Sequence, residues 1–364
     1  MSRYALKNYA LLGKETKKNR NLTETLRYIM KTPSLQYILF GVVMIVVGYL
    51  ATNKILPYSW QSAFATTFAY AIASIGFCLL MGYSGLASLG TGGFIGIGTY
   101  AVHYVMVEAG LPFGIAIIVA LGVSILIGLI VGFISLRIEG IYLVILTLAL
   151  SEILRTLYSA IEPKLTLSSK DAVIFGQIFP RTSSLALVSL FLVITMIITT
   201  NLINSPTGRA MLAMKNSTAA AQAMGISLIK YRLMAFVICT AYASLTGVLL
   251  MMVVRSADAT DVTGYYALIT SLNVLAAVII GGYKSIWGAV FGTFAMYGIK
   301  LVIFNQIPFL AKNPLIITLF AGILVIVIVM FFPGGLAQLL LEAKGKIKTI
   351  RQRFKEDNYG KDLG

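Results

Sequence analysis

Charge is scarce in this chain of 364 residues. Lys, Arg, Asp and Glu together make up 12% of it, about half the share of an ordinary soluble domain. Hydrophobic residues reach 58% and mean hydropathy is +0.88. One soluble core cannot hide so much apolar side chain, whereas a chain solvated by lipid can carry it. Acids are scarcer than bases, 13 against 29, for a net charge of +16. Histidine occurs once, as His103, and cysteine twice, as Cys78 and Cys239. Two cysteines inside apolar runs make neither a disulfide framework nor a metal site, and read as small buried hydrophobes. His103 closes an apolar run and reads as a packing or interfacial residue. No stretch matches Gly-x-x-x-x-Gly-Lys-Ser/Thr, so the chain offers no phosphate loop of its own. No nucleophile and base stand at a plausible catalytic spacing either. These absences leave an all-α, polytopic membrane protein without evident enzymatic chemistry.

A hydrocarbon core of ~30 Å takes about 20 apolar residues per helix. Runs of that size fall at 35–52, 60–82, 86–107, 113–135, 141–159, 184–203, 231–254, 265–282, 285–304 and 313–332, about ten spans. The organisation that follows is a basic tail over 1–34, a membrane domain over 35–340 and a second basic tail over 341–364. The first tail is too long for the charged region of a signal peptide, and the run after it is a full span. Leu22, Leu26, Ile29 and Met30 recur at helical spacing within it, as expected either for an interfacial helix ending near Pro33 or for a disordered basic tail. With both termini inside, the inner side holds eight bases up to Lys31 and seven from Lys344 onward. Arg137, Arg209, Lys215, Lys230, Arg232 and Lys284 bring that to 21 of the 29. This is the positive-inside pattern, and it explains the net charge through anionic lipid without nucleic acid.

Glycine is concentrated in two places, Gly82 to Gly98 and Gly281 to Gly292. Such density lets helices approach closely, or breaks a helix into halves whose free backbone groups line a cavity. The longest inner loop, 204–230, opens with a turn over Asn204 to Gly208. Further on, Ser217 is a suitable N-cap, Thr218 to Met224 favours helix and Gly225 suits a C-terminal cap. That gives a short helix with a small face, flanked by Arg209, Lys215, Lys230 and Arg232. It is either a plain surface helix or a piece that docks into another protein. Glu152 and Arg155 stand at i, i+3 and can neutralise each other within a span. They serve helix packing or take part in transport. An ion-coupled secondary transporter would use Glu152 as its proton carrier.

Motifs in order along the chain carry a resemblance. They are Gly82-Tyr83-Ser84-Gly85-Leu86-Ala87-Ser88-Leu89-Gly90, Phe94-Ile95-Gly96-Ile97-Gly98-Thr99-Tyr100, Leu136-Arg137 with Gly140-Ile141-Tyr142, and Thr147-Leu148-Ala149 with Glu152-Ile153-Leu154-Arg155. Ser205-Pro206-Thr207-Gly208-Arg209-Ala210, Ala220-Ala221-Gln222-Ala223-Met224-Gly225-Ile226, Gly281-Gly282, Trp287 to Gly292 and Phe332-Pro333-Gly334-Gly335-Leu336 complete the series. From about 60 to 340 the chain resembles the branched-chain amino-acid type of ABC-importer permease, in its M-type form.

The resemblance implies an ABC-importer permease fold in a bacterial inner membrane. The transported solute is then small and polar, a branched-chain or other amino acid. It also implies a second permease subunit, two ATP-binding subunits that carry ATP and Mg, and an extracytoplasmic substrate-binding protein. Coupling to the ATPase then falls on Arg209, Ser217, Ala219, Ala220, Ala221, Gln222, Met224 and Gly225. Pathway or packing candidates are Ser84, Gly85, Ser88, Gly90, Thr147, Glu152, Arg155, Gly281 and Gly282. Three departures mark this chain: Thr218 and Gln222 where the family carries acids, Glu139 where a base is usual before Gly-x-Tyr, and Lys164 to Lys170 in place of a glycine-containing outer loop.

Overall fold

The computed structural model describes residues 33–52, 58–135, 140–168, 172–174, 177–261 and 264–303, with single residues at 319, 322, 323, 326, 330 and 335. Helices α1 (Pro33–Thr52), α2 (Tyr58–Leu79), α3 (Thr91–Val102), α4 (Phe113–Ser135) and α5 (Ile141–Ile161) come first. Then follow α6 (Ser184–Asn204), α7 (Pro206–Asn216), α8 (Thr218–Ala223), α9 (Leu228–Val254), α10 (Leu268–Gly281) and α11 (Ile286–Thr293). Helices α2, α3 and α11 run on as π-helix over Leu80–Ser84, His103–Glu108 and Phe294–Ile303. Among the described residues, five helices are long and apolar enough to cross a membrane, and three shorter apolar helices accompany them. The chain is thus helical and polytopic. The first basic tail up to residue 32, the second tail and most of the run at 313–332 lie outside the described residues, although 319, 322, 323, 326 and 330 are helical.

Burial separates the centre of the bundle from its rim. Most of the apolar window of α2 (89%) and of α9 (78%) is buried, against 22% for α4 and 28% for α5. Helix α9 packs against α2, α3 and α4, and α2 also meets α6 and α11. A helix that is apolar all round suits such a centre, because every face needs a neighbour. The outward faces of α1 and α4 instead present Ile38, Val42, Val46, Ile118, Leu126 and Ile130, apolar side chains that lipid solvates.

Close packing of α3 on α9 depends on glycine. A Cβ at Gly98 would run into the Ser244 carbonyl oxygen, and one at Gly247 into the Ile95 carbonyl oxygen. Each glycine therefore lets the opposite backbone in, the arrangement small residues provide between membrane helices.

Several expectations change. The run at 86–107 becomes helical only at Thr91, since Gly85 adopts φ 75° and residues 85–90 take no helical form. The run at 265–282 contracts to the 14 residues of α10, about 21 Å and short of the hydrocarbon core. Helix α10 packs on α11, and the 282–285 turn joins them, so the second glycine cluster forms a hairpin of short helices. The expected turn at 204–208 instead opens a helix. Ser205 caps it, its side chain accepting from Gly208 N, and Pro206 sits in its first turn, where a missing N–H costs nothing. The chain also has small strands that apolar run length does not announce. β1 (Lys164–Thr166) pairs antiparallel with β4 (Ser256–Asp258), and β2 (Val173–Ile174) pairs with β3 (Gln177–Ile178).

Alanine at Gly98 should lower the thermal midpoint in detergent, at a cost of about 1–3 kcal/mol from overpacking. Alanine at Gly122, whose Cβ would meet nothing within 4 Å, should raise stability by roughly 0.5–1 kcal/mol. Equal midpoints for the two variants would contradict the backbone contact.

Candidate functional site

Two places in the bundle depart from plain helix packing. The first is at the end where α6 runs into α7 and α8. Ser217 Oγ accepts from Ala220 N at 3.3 Å and opens α8. At its other end Gly225 takes φ 78°, while Ile226 N donates to Ala221 O at 2.9 Å. Only Ala221 points inward, at 2% exposure, whereas Ala219, Ala220, Gln222, Met224 and Gly225 are exposed. Met224, at 79%, is an apolar side chain standing free at the tip. Arg209 is exposed as well and donates to the Asn204 carbonyl at 3.2 Å. Helix α9 then runs 27 residues to β4, so about 40 Å separates α8 from the paired strands.

The second place is the non-helical stretch 85–90, which lies mostly inside the bundle beyond Gly85. Its backbone would be costly in an apolar setting unless every polar group were met. Leu89 N donates to Thr147 Oγ1 at 3.0 Å, and Gly90 N to Ser88 Oγ at 3.3 Å. The first turn of α3 has free amides, as any helix start does. Gly92 N finds Ser271 Oγ of α10 at 2.8 Å and Gly93 N finds Ser151 Oγ of α5 at 2.9 Å. Tyr158 of α5 donates to the Gly93 carbonyl at 2.8 Å. Thr147, Ser151, Leu154 and Tyr158 form the buried face of α5.

The remaining candidates fall around this core. Among the described residues Ser84 Oγ is buried without a hydrogen-bond partner, and Gly85 is exposed. Gly281 faces Gly288 so closely that a Cβ on either would strike the other's carbonyl oxygen, and Gly282 turns the chain with φ 101°. Glu152 and Arg155 stand apart from the break, toward the outside of α5, with side chains 48% and 20% exposed. Arg155 donates through Nε to Glu152 Oε1 at 2.9 Å, and Nη2 reaches the same oxygen. Its Nη1 donates to the Ala259 carbonyl at 3.1 Å, tying α5 to the segment after β4. The break thus gathers Thr147, Ser88 and Gly90, but not the charged pair. His103 is buried, its Nε2 3.3 Å from Glu162 Oε2 and its ring edge-on to Tyr104.

Ser151, Ser271 and Tyr158 are not among the residues the motifs single out, and Lys215 stands among them only as a flanking base. A signal for the α5 residues existed. Thr147, Ser151 and Tyr158 recur on one face of an apolar helix, where polar groups need a reason. The parts played by Ser271 and Lys215 follow only from the fold, which brings α10 and α7 to the break.

The model of the family described as the permease component of the branched-chain amino acid transport system matches residues 61–330. The chain belongs to that family. The match takes in every residue of the break and of α7 and α8, and leaves out α1. Two curated relatives are the high-affinity branched-chain amino acid transport system permease proteins LivM of Salmonella typhimurium strain LT2 and Escherichia coli strain K12. Each is 31% identical over 248 residues, covering 60% of this chain and 57% of the relative. The chain therefore spans little more than half the length of the curated relatives it matches. No solved structure gives a significant match.

Within this chain the Thr147 contact has a direct test. Replacing Thr147 with valine keeps the shape and leaves Leu89 N unpaired, which should cost about 1–3 kcal/mol. Amide exchange at Leu89 and Gly90 should quicken, whereas Thr147→Ser should hold wild-type protection. Unchanged exchange in the valine variant would mean that Thr147 does not anchor the break.

Proposed function

We propose that this chain is one of two membrane subunits of an ATP-driven importer for small polar solutes, with branched-chain amino acids the leading class. Membership of the permease family carries the reading, and the exposed small face of α8 supports it. The alanines at 219 and 220 with Gly225 offer a low profile that a groove on another chain can approach closely. Met224 adds an adaptable apolar contact. ATP and Mg then belong to two separate ATP-binding chains seated on Arg209 and residues 217–225. A second permease completes the pathway, and an extracytoplasmic binding protein delivers the solute. Thr218 and Gln222 carry no charge, so docking at α8 rests on shape.

The reading places both termini and the 204–230 loop in the cytoplasm of a bacterium bounded by this inner membrane. Contacts across the fold support that assignment of sides. β1 and β4 come from two different loops assigned to the outer side, and they pair with each other. Lys215 and Gly82, both assigned to the inner side, meet through a 2.8 Å hydrogen bond. A carrier driven by protons on Glu152 fits less well. A proton carrier needs a carboxylate free of fixed partners, whereas Arg155 pairs with this one through two donors.

Purified gently from its native membrane, the chain should bring a nucleotide-binding protein with it, and leucine uptake by cells should stop when ATP is depleted. Tryptophan at Ala220 combined with valine at Gly225 should cut ATP-driven leucine uptake roughly tenfold or more, the scale of a lost coupling between sites. Uptake that survives ATP depletion, with no ATPase recovered, would remove the importer reading. Normal uptake in the double variant would remove α8 as the docking helix.

A further inference from the structure

Lys215 is a base that leaves its own surface. It lies in the last turn of α7, two residues before the N-cap of α8, and reaches inward to the membrane bundle. Its Nζ donates to the carbonyls of Met81 at 3.0 Å and Gly82 at 2.8 Å. Those carbonyls close the π-helical end of α2, just before the chain breaks at Gly85. The end of a helix carries partial negative charge and free carbonyls, and an ammonium group satisfies both. The same Nζ stands 4.5 Å from the centre of the Tyr283 ring, in the turn between α10 and α11. The stem of Lys215 also covers Gly85, so that a Cβ there would lie 3.2 Å from its Cγ.

The two ends that Lys215 touches are themselves joined. Gly82 lies so close to the Tyr283 carbonyl oxygen that no Cβ fits between them. Cys78 Sγ donates to that oxygen at 3.1 Å, and Tyr83 OH to the Lys284 carbonyl at 3.2 Å. Both glycine-rich interruptions of the bundle therefore meet at one point, under one cation. Burial, and after it the neighbouring charge of Lys284, lowers the Lys215 pKa from the ordinary lysine value. A lysine drawn into such a place is held there by its carbonyl and ring contacts.

We propose that Lys215 is the positioning residue that fastens α7 and α8 to both helix interruptions, so that a displacement of α8 moves Met81–Gly85 and the 282–285 turn together. This inference rests on the importer reading for the origin of the displacement, but the fastening itself can be tested without it. Methionine at 215 keeps the length of the stem and removes the charge and the donors. Arginine keeps both.

In the isolated chain in detergent, Lys215→Met should quicken amide exchange at 83–86 and 283–285 by at least about tenfold, as local opening becomes easier. Lys215→Arg should restore most of the protection. Unchanged exchange in the methionine variant overturns the proposal, whether or not an ATPase is ever found. In the complex with its ATP-binding chains and second permease, reconstituted in vesicles with leucine as probe, the methionine variant should keep its hydrolysis of ATP. Leucine taken up per ATP should fall at least about fivefold, the lower range for coupling between two sites, with arginine recovering most of it. Full uptake per ATP in the methionine variant overturns the proposal. If Lys215→Met does not fold, Tyr283→Leu leaves the carbonyl bonds in place and removes the ring. It should lower uptake per ATP about twofold and quicken exchange at 283–285; wild-type values in both would also overturn it. A wild-type chain that binds no ATPase would refute the importer reading and leave the exchange result to decide the fastening.

Discussion

Water is not available to the backbone inside a bilayer, so each amide and carbonyl that leaves a helix there must find a partner in the protein. The interruption at 85–90 is where this chain meets that demand. Four side chains answer it there and in the first turn of α3, from three places in the sequence: Ser88 within the break, Thr147 and Ser151 from α5, and Ser271 from α10. Once those partners are required, the positions of α5 and α10 against α3 follow. The polar stripe on α5 has to face inward, which turns Ile145, Ala149, Ile153 and Leu157 to the outside. A packing choice is thus made by hydrogen bonds, in a medium where apolar contact alone distinguishes poorly between neighbours.

Small residues set how near the pieces can come. Gly98 with Gly247 brings α3 onto α9, and Gly281 with Gly288 folds the short α10–α11 hairpin back on itself. Gly82 lets the end of α2 touch the turn of that hairpin. Contacts made through backbone leave no flexible side chain to absorb movement. Elements joined this way are fixed to one another more tightly than through side chains. The aromatic stack of Tyr70 on Tyr297, with ring centres 4.1 Å apart, adds a rigid contact between α2 and the π-helical part after α11.

The parts of this fold that could be read from sequence are those governed by local rules. Run length placed the long helices to within a few residues, because an apolar segment of that size has few alternatives. Capping chemistry placed α8, since Ser217 and Gly225 act on their own neighbours. The same local reading failed at Pro206. A proline after a helix reads as a stop, yet with Ser205 before it the proline is equally fit to start the next helix, and here it does. Run length failed again at 86–90. Hydropathy there is that of a span, while Gly85 takes a left-handed turn and the stretch after it is held by Thr147, distant in sequence. The β1–β4 pair joins residues about ninety positions apart, and nothing in either strand announces the other. Glu152 and Arg155 were legible as a pair from their spacing, but the Ala259 carbonyl that fixes the arginine was not.

Taken with Lys215, these non-local contacts form a continuous series from one end of the molecule to the other. Ala259, beside β4, accepts from Arg155 on α5. Thr147 and Ser151 of α5 hold the break and the start of α3. The break continues back into Met81 and Gly82, which accept from Lys215, next to α8. Every step is a hydrogen bond or a covalent stretch of backbone, none a loose apolar contact. Coupling between ends needs more than contiguity, namely an element with two arrangements that both ends can bias. The 85–90 stretch has the right character for that element. It is held at Leu89 and Gly90 by side-chain hydroxyls in place of a helical ladder. Ser84, beside it, has a buried hydroxyl that meets no hydrogen-bond partner among the described residues.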